Sequence, residues 1–276
     1  QIVQHGEEHI AQAKKLMVTD PDSALVLARE VVDHLDQLGT AEQRGQALML
    51  LGEAHQLTGD IPAALAVYHR AQLLTEAALE QQPGDPSLVL LRSDIQMLIG
   101  LLHFSLHNLD QSISRYNEAL RILDAAHDAL PADGLNMRKV RAFNNIAAVY
   151  LQGSDYATAL PYFQQAAEMN RSLNNLRNES ALNNNIGICY METGKRDLAD
   201  QYFLQALAVR KQTGDVRGQA QVLNNLGKNQ ALMGHFAAAR GHFEEALALG
   251  RSLGSRGSMA ISLESLSTTY DTLGEY

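Results

Sequence analysis

Three stretches of this chain superimpose at a fixed step. They are Phe143-Asn144-Asn145-Ile146-Ala147-Ala148-Val149-Tyr150, Asn183-Asn184-Asn185-Ile186-Gly187-Ile188-Cys189-Tyr190 and Leu223-Asn224-Asn225-Leu226-Gly227-Lys228-Asn229-Gln230. After each comes a break, then an alanine, an aromatic four residues on, and an alanine three further: Ala159/Phe163/Ala166, Ala199/Phe203/Ala206 and Ala239/Phe243/Ala246. The small residue of the first stretch recurs at Gly52, Gly100, Ala147, Gly187, Gly227 and Ser267, in steps of 48, 47, 40, 40 and 40. A period of this size belongs to stacked supersecondary units, each burying its apolar face on the next. Such an array leaves little room for a function that needs one enclosed active site.

The periodicity inside each unit is helical. Apolar residues recur three and four apart, and no segment alternates with period two. The second half of each unit carries Ala64/Tyr68/Ala71, Ser112/Tyr116/Ala119 and then the three sets above. At the N-terminus, Ala24 to Ala28 with Val31 fits a second helix. A degenerate first partner runs from about His5 to Val18, with Asp20-Pro21-Asp22 as the turn. Glycine falls where a left-handed helix end is needed, at Gly59, Gly194, Gly234 and Gly274. His107-Asn108 is a weaker version, with the asparagine expected to take the left-handed conformation. Residues 82–86 and 130–134 account for the two long steps, read as loops between lengthened helices. The small residues let the two backbones of a pair approach, and the aromatic is expected to fill the gap to the next pair.

Composition narrows the partners. Apolar residues make up 46% of the 276 positions, ample for a core, and aromatics only 5%, so Leu, Ala, Ile, Val and Met must fill it. A net charge of −9 without any basic run argues against direct nucleic-acid binding, which draws on clustered Lys and Arg. The single cysteine, Cys189, excludes an internal disulfide framework and fits a reducing, cytoplasmic setting. No apolar run approaches membrane-spanning length, and no signal peptide is visible, so no membrane is expected.

These residues resemble the tetratricopeptide repeat, whose pattern is Leu-Gly-x-x-Tyr in the first helix, Gly at the turn and Ala-x-x-x-Phe/Tyr-x-x-Ala-Leu in the second. A period of 40 instead of 34, with Asn-Asn in the first helix, is similar to the long-repeat subgroup of kinesin light chains and bacterial signalling and peptide-receptor proteins. The resemblance implies an all-α, right-handed superhelical solenoid of antiparallel helix pairs. It would form one domain: residues 1–44 a degenerate repeat, 45–259 five full repeats, 260–276 the first helix of a further one. It also implies a groove lined by first helices that binds a protein or peptide. The groove positions carried over are Gln46, Met49, Leu50, Glu53 and Gln56; Asp94, Met97, Leu98, Leu101 and Phe104; Arg141, Asn144, Asn145, Ala148 and Leu151; Ala181, Asn184, Asn185, Ile188 and Met191; Gln221, Asn224, Asn225, Lys228 and Ala231; and Glu264, Ser265, Thr268 and Asp271. A clamp for an acidic C-terminal tail does not fit, because its lysine positions hold asparagine here.

The paired asparagines are the sharpest signal. Asparagine costs helix propensity, so three mid-helix pairs need a reason. A carboxamide donates and accepts, and a ladder of them can pair with an extended peptide backbone. The alternative is that they fix the stacking of the helices. The second of each pair (Asn145, Asn185, Asn225) is favoured for ligand contact; the first is open between the two roles. His103 and His107 share a helix spacing that suits metal ligands, but His103 stands where other units have tyrosine and reads as packed. Cys189 reads as a buried small hydrophobe. No phosphate-binding loop or catalytic constellation is visible, so neither cofactor nor catalysis is expected.

The expectation is thus a non-catalytic binding module, with a homodimer open. The sequence breaks off at the turn of a repeat, as a fragment of a larger bacterial signalling protein would. The alternative is an oligomerising sensory segment that controls an enzymatic output domain beyond residue 276.

Overall fold

The computed structural model describes residues 2–273, with side chains for residues 9–272; the turn expected at Gly274 lies outside them. Thirteen helices are described and no strand: α1 Ile2–Thr19, α2 Pro21–Leu38, α3 Ala41–Leu57, α4 Ile61–Gln81, α5 Pro86–Ser105, α6 Leu109–Ala125, α7 Ala132–Gln152, α8 Tyr156–Leu173, α9 Leu176–Glu192, α10 Arg196–Gln212, α11 Val216–Leu232, α12 Phe236–Ser252 and α13 Arg256–Leu273. The chain is all-α, in antiparallel pairs of the solenoid class. It divides within α7 into two compact units, Gln1–Asn145 and Ile146–Tyr276.

Helix starts are set by local side-chain chemistry. Asp20, Asp60, Asp85, Asp155, Asn175 and Asp215 each precede a helix, and each side chain accepts the backbone N–H three residues on. Pro21 and Pro86 open α2 and α5, where no intrahelical N–H is lost.

The turns within pairs share one backbone hydrogen bond. The N–H of Asp60, Asn108, Asp155, Lys195 and His235 donates to the carbonyl five residues back, at 2.8–2.9 Å. Closing that bond puts the preceding residue in the left-handed region. Three of those residues are Gly59, Gly194 and Gly234, and the other two are His107 (φ 59°) and Ser154 (φ 60°). The expectation for Asn108 is therefore corrected. Its N–H closes the turn at φ −84°, and His107 bears the left-handed conformation.

Inside each unit the second helix presses an aromatic ring onto its own partner. Tyr68, Tyr116, Phe163, Phe203 and Phe243 are at most 3% exposed. A Cβ built on Gly52, Gly100, Gly187 or Gly227 would lie 2.2–2.6 Å from the ring of Tyr68, Tyr116, Phe203 or Phe243 respectively. The aromatic therefore fills the slot vacated by the glycine of the same pair, where the gap to the next pair was expected. Ser112, in an alanine position, donates its hydroxyl to the Gly100 carbonyl at 2.9 Å.

The long steps are absorbed as longer helices: α4, α5 and α7 have 21, 20 and 21 residues, against 17 in each of α9 to α12. One correction concerns α5. It is long and apolar enough to cross a membrane, with a mean hydropathy of 1.3, yet 56% of that window is buried inside the protein. Leu88, Leu91, Ile95, Ile99 and Leu102 belong to the same core as Leu48, Leu51 and Tyr68. Its apolarity is that of a helix enclosed by α3, α4 and α6.

Truncating Phe163 or Phe203 to alanine should cost roughly 3–5 kcal/mol, the penalty for emptying a buried aromatic site. Chemical denaturation checks this; a variant as stable as the parent would deny the ring its role. Ser154→Gly should raise stability by about 0.5–1 kcal/mol, because a glycine removes the strain of a side chain at positive φ. A lower melting temperature in Ser154→Gly would show that the turn is not strained.

Candidate functional site on the first helices

In the second unit the first helix α11 touches both α9 and α13, and the three form a face of their own. The asparagine pairs link them. Asn225 Nδ2 donates to Asn184 Oδ1 at 2.9 Å, and Asn184 Nδ2 donates to Asn185 Oδ1 at 3.3 Å. One step on, the Ser262 hydroxyl donates to Asn224 Oδ1 at 3.0 Å. Asn184 and Asn224 are buried, at 2% and 9% exposure, while Asn185 and Asn225 are half-buried. The first asparagine of each pair thus spends its side chain between helices. The second leaves one polar end without an intramolecular partner among the described residues: the amide hydrogens of Asn185 and the carbonyl oxygen of Asn225.

The other expected groove residues in this unit fall into two groups. Gln221 and Lys228 are exposed and already engaged: Gln221 Oε1 accepts from Arg210 at 3.3 Å, and Lys228 Nζ lies 2.7 Å from Glu192. Ile188 is half-buried, and Met191 is buried at 2% exposure. On α13, Glu264, Thr268 and Asp271 are exposed and Ser265 is half-buried.

In the first unit, Asp94 on α5 gathers the cations of α7. Arg138 grips it with Nε at 3.1 Å and Nη2 at 2.7 Å, and Arg141 stands 3.8 Å away. Arg141 therefore stands beside a carboxylate that Arg138 already holds, and the cluster keeps one positive charge. Asn144 and Asn145 are half-buried on the same helix. Met97 and Leu98 are buried in α5, while Leu101 is exposed and Phe104 half-buried, so the expected apolar patch is mostly core. Glu53 on α3 lines a 90 Å³ hollow with Ile10, Lys14, Gln46, Met49 and Leu50. Burial pushes its carboxyl above the ordinary range, and the charges of Lys14 and Arg141 oppose that without cancelling it.

One polar anchor escaped the sequence reading. Asn229 is fully buried, and its Nδ2 donates to the Arg196 carbonyl at 2.9 Å and to Asp200 Oδ1 at 2.7 Å. Gln230 bonds the same aspartate. The signal was available: an asparagine stands where the neighbouring units have Val149 and Cys189, in a slot where a polar group must find partners.

Burial accounts for the remaining candidates. Cys189 is fully buried and its thiol is pushed up to about 12, so it is no nucleophile at neutral pH. No group of three or more His, Cys, Asp or Glu is gathered for a metal among the described residues.

An all-α array of helix pairs, joined through side chains of the first helices, is a repeat protein in class. The tetratricopeptide repeat family model matches residues 138–212 and, overlapping them, 177–252. Residues 138–252 thus carry tetratricopeptide repeats. No curated protein sequence matches it. Among solved structures, BtubC (BKLC) from P. vanneervenii is similar at 22% identity, over 91% of this chain and 92% of that one, with a TM-score of 0.67. The chain also aligns with a signal transduction ATPase with numerous domains, bearing a tetratricopeptide repeat sensor, from Pyrococcus horikoshii. There the identity is 13% and the TM-score 0.72, over 96% of this chain and 37% of the ATPase. A Rap protein complexed with competence and sporulation factor aligns at 15% identity and a TM-score of 0.63, over 99% of this chain and 72% of that one. At these identities the likeness concerns the fold.

Glu53→Gln supplies a test of the first unit's electrostatics. A carboxyl whose folded pKa is raised binds its proton more tightly folded than unfolded, so it lowers stability once the pH exceeds its unfolded value. The variant should melt higher than the parent at pH 7. The advantage should vanish on acidification below about pH 4, under the unfolded carboxylate value. Thermal melts at the two pH values decide it, and an equal difference at both would deny the shift.

Proposed function

We propose that the chain is a protein-interaction module whose first-helix face holds an extended peptide segment of a partner. The observation that carries this reading is the asparagine chain of α9 and α11. It ends in an unspent donor on Asn185 and an unspent acceptor on Asn225, the two complements of a peptide backbone. Half-buried Ile188 and the aliphatic stem of Lys228 flank these ends on the same helices. Arg141, Asn144 and Asn145, on α7 in the first unit, are read separately as contacts of the same kind. The Lys228–Glu192 pair leaves the α9–α11 face without a strong field of one sign. The expected ligand is thus bound through its backbone more than through charge. A Rap protein of this fold was solved complexed with competence and sporulation factor, which is consistent with such use of the scaffold.

A second reading is favoured by one alignment: the chain spans 37% of an ATPase that uses its tetratricopeptide repeats as a sensor. In that reading the same face senses a ligand on behalf of an output domain in a longer protein. The two differ in consequence, not in the binding step.

The test is a peptide selected from a random-sequence library against the full chain. The double variant Asn185→Ala/Asn225→Ala should lose two carboxamide contacts worth about 0.5–1.5 kcal/mol each, or roughly 5- to 150-fold in affinity. The double variant also strands the buried Asn184 carboxamide and should melt lower than the parent, so affinities are compared well below its melt, with Asn184→Ala as the control that removes the link and spares both free ends. Selected peptides that bind the double variant as tightly as the parent would refute the proposal.

A further inference from the structure

A second cavity lies in the first unit, away from the asparagine face. It is bounded by α4, α5 and α6, encloses about 680 Å³, and receives no residue from α3. That volume falls within the range of small-molecule sites. The second unit repeats the place: α8, α9 and α10 enclose about 430 Å³ at the corresponding positions. The two differ in what closes them. In α9–α10 the residue three beyond the glycine and the residue before the aromatic are Tyr190 and Tyr202, with ring centroids 5.5 Å apart. In α7–α8 the same two positions hold Tyr150 and Tyr162, stacked at 5.8 Å. In α5–α6 they hold His103 and Arg115. An aromatic pair that packs on itself is replaced by two polar side chains that line a hollow.

Those side chains are poorly satisfied. His103 is 8% exposed, and among the described residues its Nδ1 has no hydrogen-bond partner; nor have Gln72 Oε1 and Arg92 Nε, two other buried atoms of the lining. Such atoms cost stability unless something completes them. Burial, with Arg115 and His69 nearby, keeps the His103 pKa low and its ring neutral. The charges are also arranged apart. Glu118 is taken up by Arg121 at 2.7 Å and Arg92 at 3.6 Å. Arg115, on α6, bonds the Gln96 amide at 3.1 Å and is near enough to Glu118 to lower its pKa without forming an ion pair, while Glu76, on α4, accepts from the Gln72 amide at 3.0 Å. One guanidinium and one carboxylate thus line the same hollow without pairing with each other.

We infer that this cavity is a site for a small zwitterion, a free amino acid or short peptide, whose carboxylate takes Arg115 and whose ammonium takes Glu76. Gln72, Arg92 and His103 complete the polar contacts around it. Leu65 is the single apolar residue of the lining, so recognition runs through the termini of the ligand and tolerates its side chains.

Calorimetry of the full chain tests this with trialanine as the probe, against L-alanine, N-acetyl-trialanine amide and inorganic phosphate. Trialanine or L-alanine should bind saturably, and the tighter of the two tells a peptide site from an amino-acid site. Blocking both termini should weaken trialanine about tenfold or more, as should Arg115→Met and Glu76→Gln, each without a lower melting temperature. The double variant His103→Tyr/Arg115→Tyr installs the aromatic pair of α7–α8 and α9–α10. It should abolish binding and melt no lower than the parent. Absence of saturable binding by both zwitterions would overturn the inference. So would binding indifferent to the blocked termini and to both single variants, or phosphate competing as strongly, which would make this an anion site. Asn185→Ala/Asn225→Ala should leave the affinity unchanged, which separates this site from the peptide face.

Discussion

Everything in this molecule hangs on a ring lying on a glycine. Tyr68 on Gly52, Tyr116 on Gly100, Phe203 on Gly187 and Phe243 on Gly227 occupy space that any side chain on the first helix would claim. The contact fixes the separation and the rotation of the two helices in each pair. It thereby decides which residues of the first helix turn towards neighbouring first helices and which residues of the second line the hollows between pairs. Ala147 takes the glycine position in the pair that carries Phe163, and both are fully buried.

Asparagine in mid-helix trades propensity for connection. Each carboxamide at Asn184, Asn224 and Asn229 is buried and engaged with another helix or a side chain upon it, so hydrogen bonds offset part of its desolvation, although Asn229 Oδ1 meets no partner among the described residues. The pairing also sets register. A helix slid by one residue along its neighbour would leave Asn184 and Asn225 apart, with buried polar atoms unmet. A purely apolar contact between α9 and α11 would tolerate such a slip far better.

Much of the fold was legible in the sequence because a repeat states each constraint several times. Helix pairs, their turns at Gly59, Gly194 and Gly234, and the aromatic positions follow from residue type at fixed spacing. What was missed depends on which neighbour a side chain meets. The ring could be assigned to a gap but not to its own partner helix. The left-handed residue at the third turn looked like Asn108 by propensity, while the shared backbone bond required His107. The candidate site was legible as a set of positions, yet Met191 and Asn184 proved to be interior. Arg141 and Lys228 proved to be matched by Asp94 and Glu192, which lie 47 and 36 residues away along the chain. The α4–α6 hollow had no sequence signature, because its walls come from three helices and other hairpins also lack the tyrosine pair.

The amide chain running from Asn225 through Asn184 to Asn185 has a direction. Its three dipoles point the same way, so each carboxamide polarises the next, and the hydrogens at the Asn185 end and the oxygen at the Asn225 end are both made stronger than in a lone asparagine. An arrow of this kind is not symmetric under reversal. Under the proposed binding mode, a strand crossing from α9 to α11 would meet a donor at Asn185 and then an acceptor at Asn225, and its two senses would set their carbonyls and N–H groups against these ends at different spacings. A surface built from a non-selective functional group would thereby acquire a polarity of its own.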